Sequence, residues 1–152
     1  MKLSISEILK KADEIDESAA RIEFIRKERS TALETVLQYC YHPSVKWLLP
    51  KGPAPFKPSE YPDAHGMLYS EARKLYLFIE GGNNNLTKTK REQIFINMLE
   101  SIDKDDAALL VSIKDGVMPY RRITKKFVEK AFPGLVWAKH SKKIELNSMM
   151  II

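Results

Sequence analysis

The stretch "EGGNNNLTKTKREQIF", residues 80–95, brings cations to the start of a helix. Gly81 and Gly82 end the preceding element, Asn83, Asn84 and Asn85 make a polar turn, and Thr87 is placed to cap the next helix. The first turn then carries Lys88, Lys90 and Arg91, with Glu92 its only residue of the sign the helix dipole favours. Exposed backbone N–H groups flanked by bases would hold a phosphate, and the anion would satisfy the dipole that the bases oppose. A second stretch, "KDGVMPYRRITKK" at 114–126, sets Gly116 and a helix start at Thr124 among Arg121, Arg122, Lys125 and Lys126. Each arm alone has a plainer reading, as a common helix junction with lysines turned into water. Together they suit gripping of a phosphate backbone, not the reading of base edges.

Other chemistry is sparse. There is no phosphate-cradling GxxxxGK, no zinc-ligand spacing and no HExxH. His42, His65 and His140 fall in three separate loops or turns and read as incidental surface residues. Cys40 stands at helical spacing with Leu33, Val36 and Leu37, as a small core residue would. Lys114, Asp115 and Gly116 are contiguous and so lack the K-x-D-G spacing of nucleotidyltransferases; Lys114 reads as a last-turn helix residue. No nucleophile, base and orienting group converge in the pattern, and no acidic cluster is set up for catalytic metals. The expectation is a protein that is not an enzyme, with no catalytic residue, cofactor or metal.

Composition agrees with one globular domain. The chain has 152 residues, 44% apolar and 30% charged, with a net charge of +5 and a pI near 9.2. That suits an anionic partner. The excess is regional: acids and bases balance over residues 1–35, whereas nine bases between Lys114 and Lys143 face only Asp115 and Glu129. A single cysteine excludes an internal disulfide framework and suggests a reducing compartment. The first residues lack the apolar core of a signal peptide, and no stretch approaches a membrane span. A soluble, cytoplasmic protein without membrane contact is expected.

Periodicity predicts an all-α fold, a compact bundle of about six or seven helices with a proline-rich loop and a C-terminal tail. Helices are expected from Ser4 to about Lys11, with Glu7 completing a capping box, and around Glu17 to Lys27, burying Ala20, Phe24 and Ile25. A third spans about Thr31 to Tyr41, and "SVKWLLP" then reads as extended, tucking in Val45, Trp47 and Leu48. Prolines at 50, 53, 55, 58 and 62 exclude helix and central strand there. Further helices are expected over Met67 to Glu80, Lys88 to Ser101 and from Asp103 or Asp105 to Gly116, and a last from Thr124 to about Ala131. Residues 1–137 would form the helical domain and residues 138–152 a basic, then apolar, tail read as a strand or an ordered tail.

In this order, the features resemble the N-terminal, all-helical DNA-binding domain of phage-type ATP-dependent DNA ligases, such as that of T-even phages. "SEILKKADEI" is similar to its opening helix, and "AARIEFIRKERSTALETVLQYCYHPSVKWLLP" to its paired helices and the apolar stretch after them. "SEARKLYLFIEGGNNNLTKTKREQIF" resembles its helix, glycine-asparagine turn and next helix, and "DDAALLVSIKDGVMPYRRITKKFVEKAFPGLV" its closing segment. The shared order covers roughly Ile5 to Val136, and no single motif is specific. These 152 residues hold no counterpart of the ligase catalytic domains, so no sealing chemistry is expected of them; the proline loop is a departure, and the tail after Trp137 has no counterpart. The layout is also similar to that of small stand-alone proteins of tailed phages, including those infecting cyanobacteria, which implies a viral protein acting in the host cytoplasm.

What the resemblance implies is a sequence-nonspecific, non-catalytic module for double-stranded DNA, gripping phosphates and minor groove. Its contacts would be Asn83, Asn84, Asn85, Thr87, Lys88, Lys90, Arg91, Arg121, Arg122, Thr124, Lys125 and Lys126. The alternative is a phage protein-interaction role, as an adaptor, inhibitor or virion component. In that reading the terminal Met149, Met150, Ile151 and Ile152 would enter an apolar pocket of a replication or host protein.

Overall fold

The computed structural model describes residues 3–58 and 66–136. The terminal tail, with Met149 to Ile152, and the loop residues around Pro62 lie outside them, as do His65 and His140. Seven α-helices and one 3-10 helix make up the described residues, and no strand is formed there. The all-α expectation holds.

Helix α1, Ile5–Asp13, begins with the expected capping box: Glu7 N–H donates to Ser4 Oγ (3.3 Å) and Ser4 N–H to Glu7 Oε1 (2.9 Å). It buries Ile5, Ile8, Leu9 and Ala12. Helix α2, Ser18–Lys27, buries Ile25 and packs Phe24 on the core as expected, but Ala20 is exposed and Arg21 is buried in its stead. Helix α3, Thr31–Tyr41, is capped by Ser30, whose Oγ accepts from Leu33 N–H (3.1 Å). The extended stretch after it alternates. Val45, Trp47 and Leu49 pack on the core, and Leu48 turns outward at 37% exposure, contrary to expectation. A two-residue side-chain period allows only every second residue inside. Leu48 N–H donates to Phe78 O and Glu80 N–H to Lys46 O, both at 2.8 Å, which makes one antiparallel bridge.

The helix expected over Met67 to Glu80 is instead a short α4, Leu68–Glu71, running into a 3-10 helix, Ala72–Phe78. Ala72, Leu75 and Phe78 are its buried residues. Their spacing of three matches the three-residue turn, which lines them on one ridge, whereas an α-helix would rotate Phe78 away. Phe78 meets Phe95 edge-on, with ring centroids 5.1 Å apart.

Helix α5, Lys88–Ser101, has the predicted bounds, and α6, Lys104–Lys114, starts within the predicted range and ends two residues before Gly116; they are capped by Thr87 and Asp103. Helix α6 ends in a Schellman turn: Gly116 N–H donates to Ile113 O (2.9 Å), Val117 N–H to Ser112 O (3.0 Å), and Gly116 takes φ +78°. Helix α7, Lys125–Ala131, closes the described chain against α2. Buried Asp106 ties α6 to α1 by accepting from Ser6 N–H (2.8 Å).

Candidate nucleic-acid interface

The first arm is built by two adjacent glycines with different tasks. Gly81 takes φ +86°, which reverses the chain after the 3-10 helix. A side chain at Gly82 would place Cβ 1.8 Å from Tyr76 O, so only glycine allows that approach. Asn83 then closes an Asx turn, its Oδ1 accepting from Asn85 N–H (3.0 Å). Asn84 and Asn85 are exposed. Thr87 Oγ1 accepts from Lys90 N–H (3.2 Å), and Thr87 O accepts from Arg91 N–H (2.9 Å). The N–H groups of Lys88 and Thr89 have no acceptor among the described residues.

Lys88 and Lys90 are exposed, and neither has an ion-pair partner among the described residues. The first turn carries no acid. Glu92 lies beyond it, so the favoured sign expected there is missing altogether. Arg91 corrects the expected set. It is buried at 8% exposure, its Nε donating to Leu77 O (3.2 Å) and an Nη to Leu86 O (3.1 Å). The guanidinium holds the 3-10 helix to the turn and is largely withdrawn from solvent.

The second arm divides in the same way. Arg122 is committed to the α1–α2 junction: its N–H and Nη1 donate to Asp13 Oδ1 and Asp13 O, both at 2.7 Å, and Nη2 pairs with Asp16 at 3.0 Å. Arg121, Thr124 and Lys126 are exposed, and Thr124 Oγ1 accepts from Phe127 N–H (3.1 Å) to cap α7. Lys125 is half-buried near His42. His42 is held below the ordinary histidine range by burial first and by the Lys125 charge second. It is no incidental surface residue, since its Nδ1 accepts from Ser44 N–H (3.1 Å) at the end of α3. Tyr41 Oη donates to Ile123 O, which fixes this end of α3 against the second arm. The two arms rest on different neighbours, α5 on α6 and the 3-10 helix, and α7 on α2.

Three more bases act as backbone clamps, a role that no sequence motif announced. Arg21 donates to Ile15 O from Nε (3.0 Å) and Nη2 (2.6 Å) and to Asp16 O (3.0 Å), and its guanidinium lies 5.5 Å from the Phe127 ring centre. Arg26 reaches Ala131 O (2.8 Å) and Lys130 O (2.9 Å), the open carbonyls at the end of α7. Lys114, buried at 6% exposure, donates from Nζ to Pro50 O (2.9 Å), Gly52 O (2.6 Å) and Asp115 Oδ1 (2.9 Å). It is a latch on the proline segment, beyond its expected role as a helix-end cation. A signal for Arg21 and Arg91 existed: each stands four residues before a buried apolar residue, Ile25 and Phe95, on the inward face.

Burial pushes the Cys40 thiol up to about 12, so little reactive thiolate forms near neutral pH. Among the described residues, no group of three or more His, Cys, Asp or Glu is placed to hold a metal ion. No helix there is long and apolar enough to cross a membrane.

Neither the curated proteins nor the solved structures contain a match to this chain. One family model does match, over residues 8–119, a span that holds the first arm and the proline segment and stops before Arg121. On that match the chain belongs to the family described as a family of unknown function, DUF6433.

Proposed function

We propose that this protein is a sequence-nonspecific, non-catalytic module that binds the phosphate backbone of duplex DNA. One observation carries the reading: Lys88 and Lys90 stand exposed on the acid-free first turn of a 14-residue helix, beside two N–H groups without acceptors among the described residues. A phosphate there would meet the positive end of the helix dipole, two backbone donors and two ammonium groups. Exposed Arg121 and Lys126 would add contacts on the second arm, and Asn84 and Asn85 would give polar contacts to sugar and phosphate. Arg91 and Arg122 support the reading indirectly, by setting the turns that carry these groups. The resemblance to the helical DNA-binding domain of phage-type ligases points the same way.

The test is binding to intact, nicked and single-stranded DNA across a salt series, for wild type and for Lys88→Glu with Lys90→Glu. Binding that weakens steeply with salt and collapses on charge reversal is expected. Salt-independent or absent binding in the micromolar range would sink the reading.

A further inference from the structure

The proline segment, residues 50–58, lies along α5 as a strap pinned at both ends. Its start is held by Lys114 Nζ on Pro50 O and Gly52 O, and by Gly52 N–H donating to Asp115 Oδ2 (3.0 Å). Its far end is held by Lys57 N–H donating to Glu100 Oε2 (2.8 Å). Between them Phe56 N–H closes a three-residue turn onto Ala54 O (3.0 Å) about Pro55. Burial alternates: Gly52, Ala54 and Phe56 face the body, and Lys51, Pro53, Pro55 and Lys57 face out. Ala54 and Phe56 pack against the core, above an apolar slot of about 110 Å³ to which Glu92, Phe95 and Ile96 contribute.

The outward ridge is a poor template for another chain's backbone. Pro53 and Pro55 have no N–H, and those of Gly52, Phe56 and Lys57 are already bonded. A partner therefore meets side chains, and the charged ones are Lys51 and Lys57. Neither has an ion-pair partner among the described residues. Of the acids beneath the strap, Asp115 and Glu100 take its backbone N–H groups, and Asp115 also takes the Lys114 ammonium. Burial alone would raise the Asp115 carboxyl; the Lys114 and Gly52 hydrogen bonds, with the charges of Lys114 and Lys51, outweigh it and hold it below its ordinary range. Glu92, which lines the slot beneath the strap, stands one turn after Lys88 on α5, so the strap begins about one helical turn from the Lys88 end of that helix.

We infer that the strap is a further cationic arm, presenting Lys51 and Lys57 to the sugar-phosphate backbone of the duplex held at Lys88 and Lys90. This rests on the DNA-binding reading above. Prolines and clips hold the strap backbone before any ligand arrives, so little ordering cost attends the contact. The two lysines are at most about 20 Å apart along the chain, a reach of several phosphates on one strand.

Fluorescence anisotropy of a labelled 20-base-pair duplex with the full chain, from 50 to 200 mM salt, tests this. Lys51→Glu with Lys57→Glu is expected to weaken binding about tenfold or more and to flatten the log K against log salt slope by about 2. Lys51→Gln with Lys57→Gln should flatten it similarly, which separates lost contacts from added repulsion. Urea midpoints equal to wild type would show that neither loss is unfolding. Wild-type affinity and slope in both strap variants, with binding lost in Lys88→Glu and Lys90→Glu, would overturn the strap inference alone. No salt-dependent binding by wild type would overturn it together with the reading beneath it.

Discussion

Arg91 and Lys88 stand three residues apart in one basic run and do opposite things. Arg91 is planar and carries five donors in a fixed fork, which suits bonding two carbonyls from different segments. Lys88 is a flexible point charge left in water. Replacing Arg91 with Met leaves the carbonyls of Leu77 and Leu86 without that donor, and should cost about 2–3 kcal/mol in urea unfolding. Lys88→Ala should change stability by less than about 0.5 kcal/mol. Gly82→Ala drives a methyl into Tyr76 O and should cost about 3 kcal/mol or more by the same measurement, or prevent folding. Composition alone cannot separate the two kinds of base, because a buried arginine and an exposed lysine add the same charge. Face position does not separate them either, since Lys88, Arg91 and Phe95 follow the i, i+3, i+7 spacing of one face; Lys88 is exposed as the first residue of α5, and Arg91, one turn in, reaches the carbonyls of Leu77 and Leu86.

Elements with local signals were legible from the sequence. Capping residues Ser4, Thr87 and Thr124 sit where their helices begin, because an N-cap hydroxyl and the N–H it accepts lie within a few residues of each other. The 3-10 helix was not legible, since Leu68, Ala72 and Leu75 fit an α-helical face until Phe78 has to be placed. Its form depends on a distant ring, Phe95, and on Arg91 taking the Leu77 carbonyl. The prolines mark the strap as non-helical, but its clips join residues 43 to 64 positions apart, which no local pattern reveals. Leu48 and Leu49 show the same limit on a smaller scale: both are apolar, and the antiparallel bridge decides which of them faces in.

For the whole molecule, the net charge of +5 overstates the surface available to a ligand. Arg21, Arg26, Arg91, Lys114 and Arg122 are bound to backbone carbonyls within the fold. Their share of the charge holds helices and loops together while Lys88, Lys90, Arg121 and Lys126 remain exposed. Stability should also depend on pH through His42. Its folded pKa lies below the ordinary histidine value of 6.5, so the folded state binds the proton less readily than the unfolded state does. The resulting stability is fully present above about pH 6.5 and is lost as pH falls through the folded pKa. The urea midpoint should therefore drop between pH 7 and pH 5, and His42→Gln should reduce that drop.

The measurement that bears most directly on the DNA-binding claim is the salt dependence of duplex binding, for wild type beside Lys88→Glu with Lys90→Glu. Wild type should give a log K against log salt slope of about −4 or steeper, from four or more neutralised phosphates, and the variant a slope shallower by about 2. A variant that binds with the wild-type slope, or a wild type that binds without salt dependence, would contradict the claim that the start of α5 holds a phosphate.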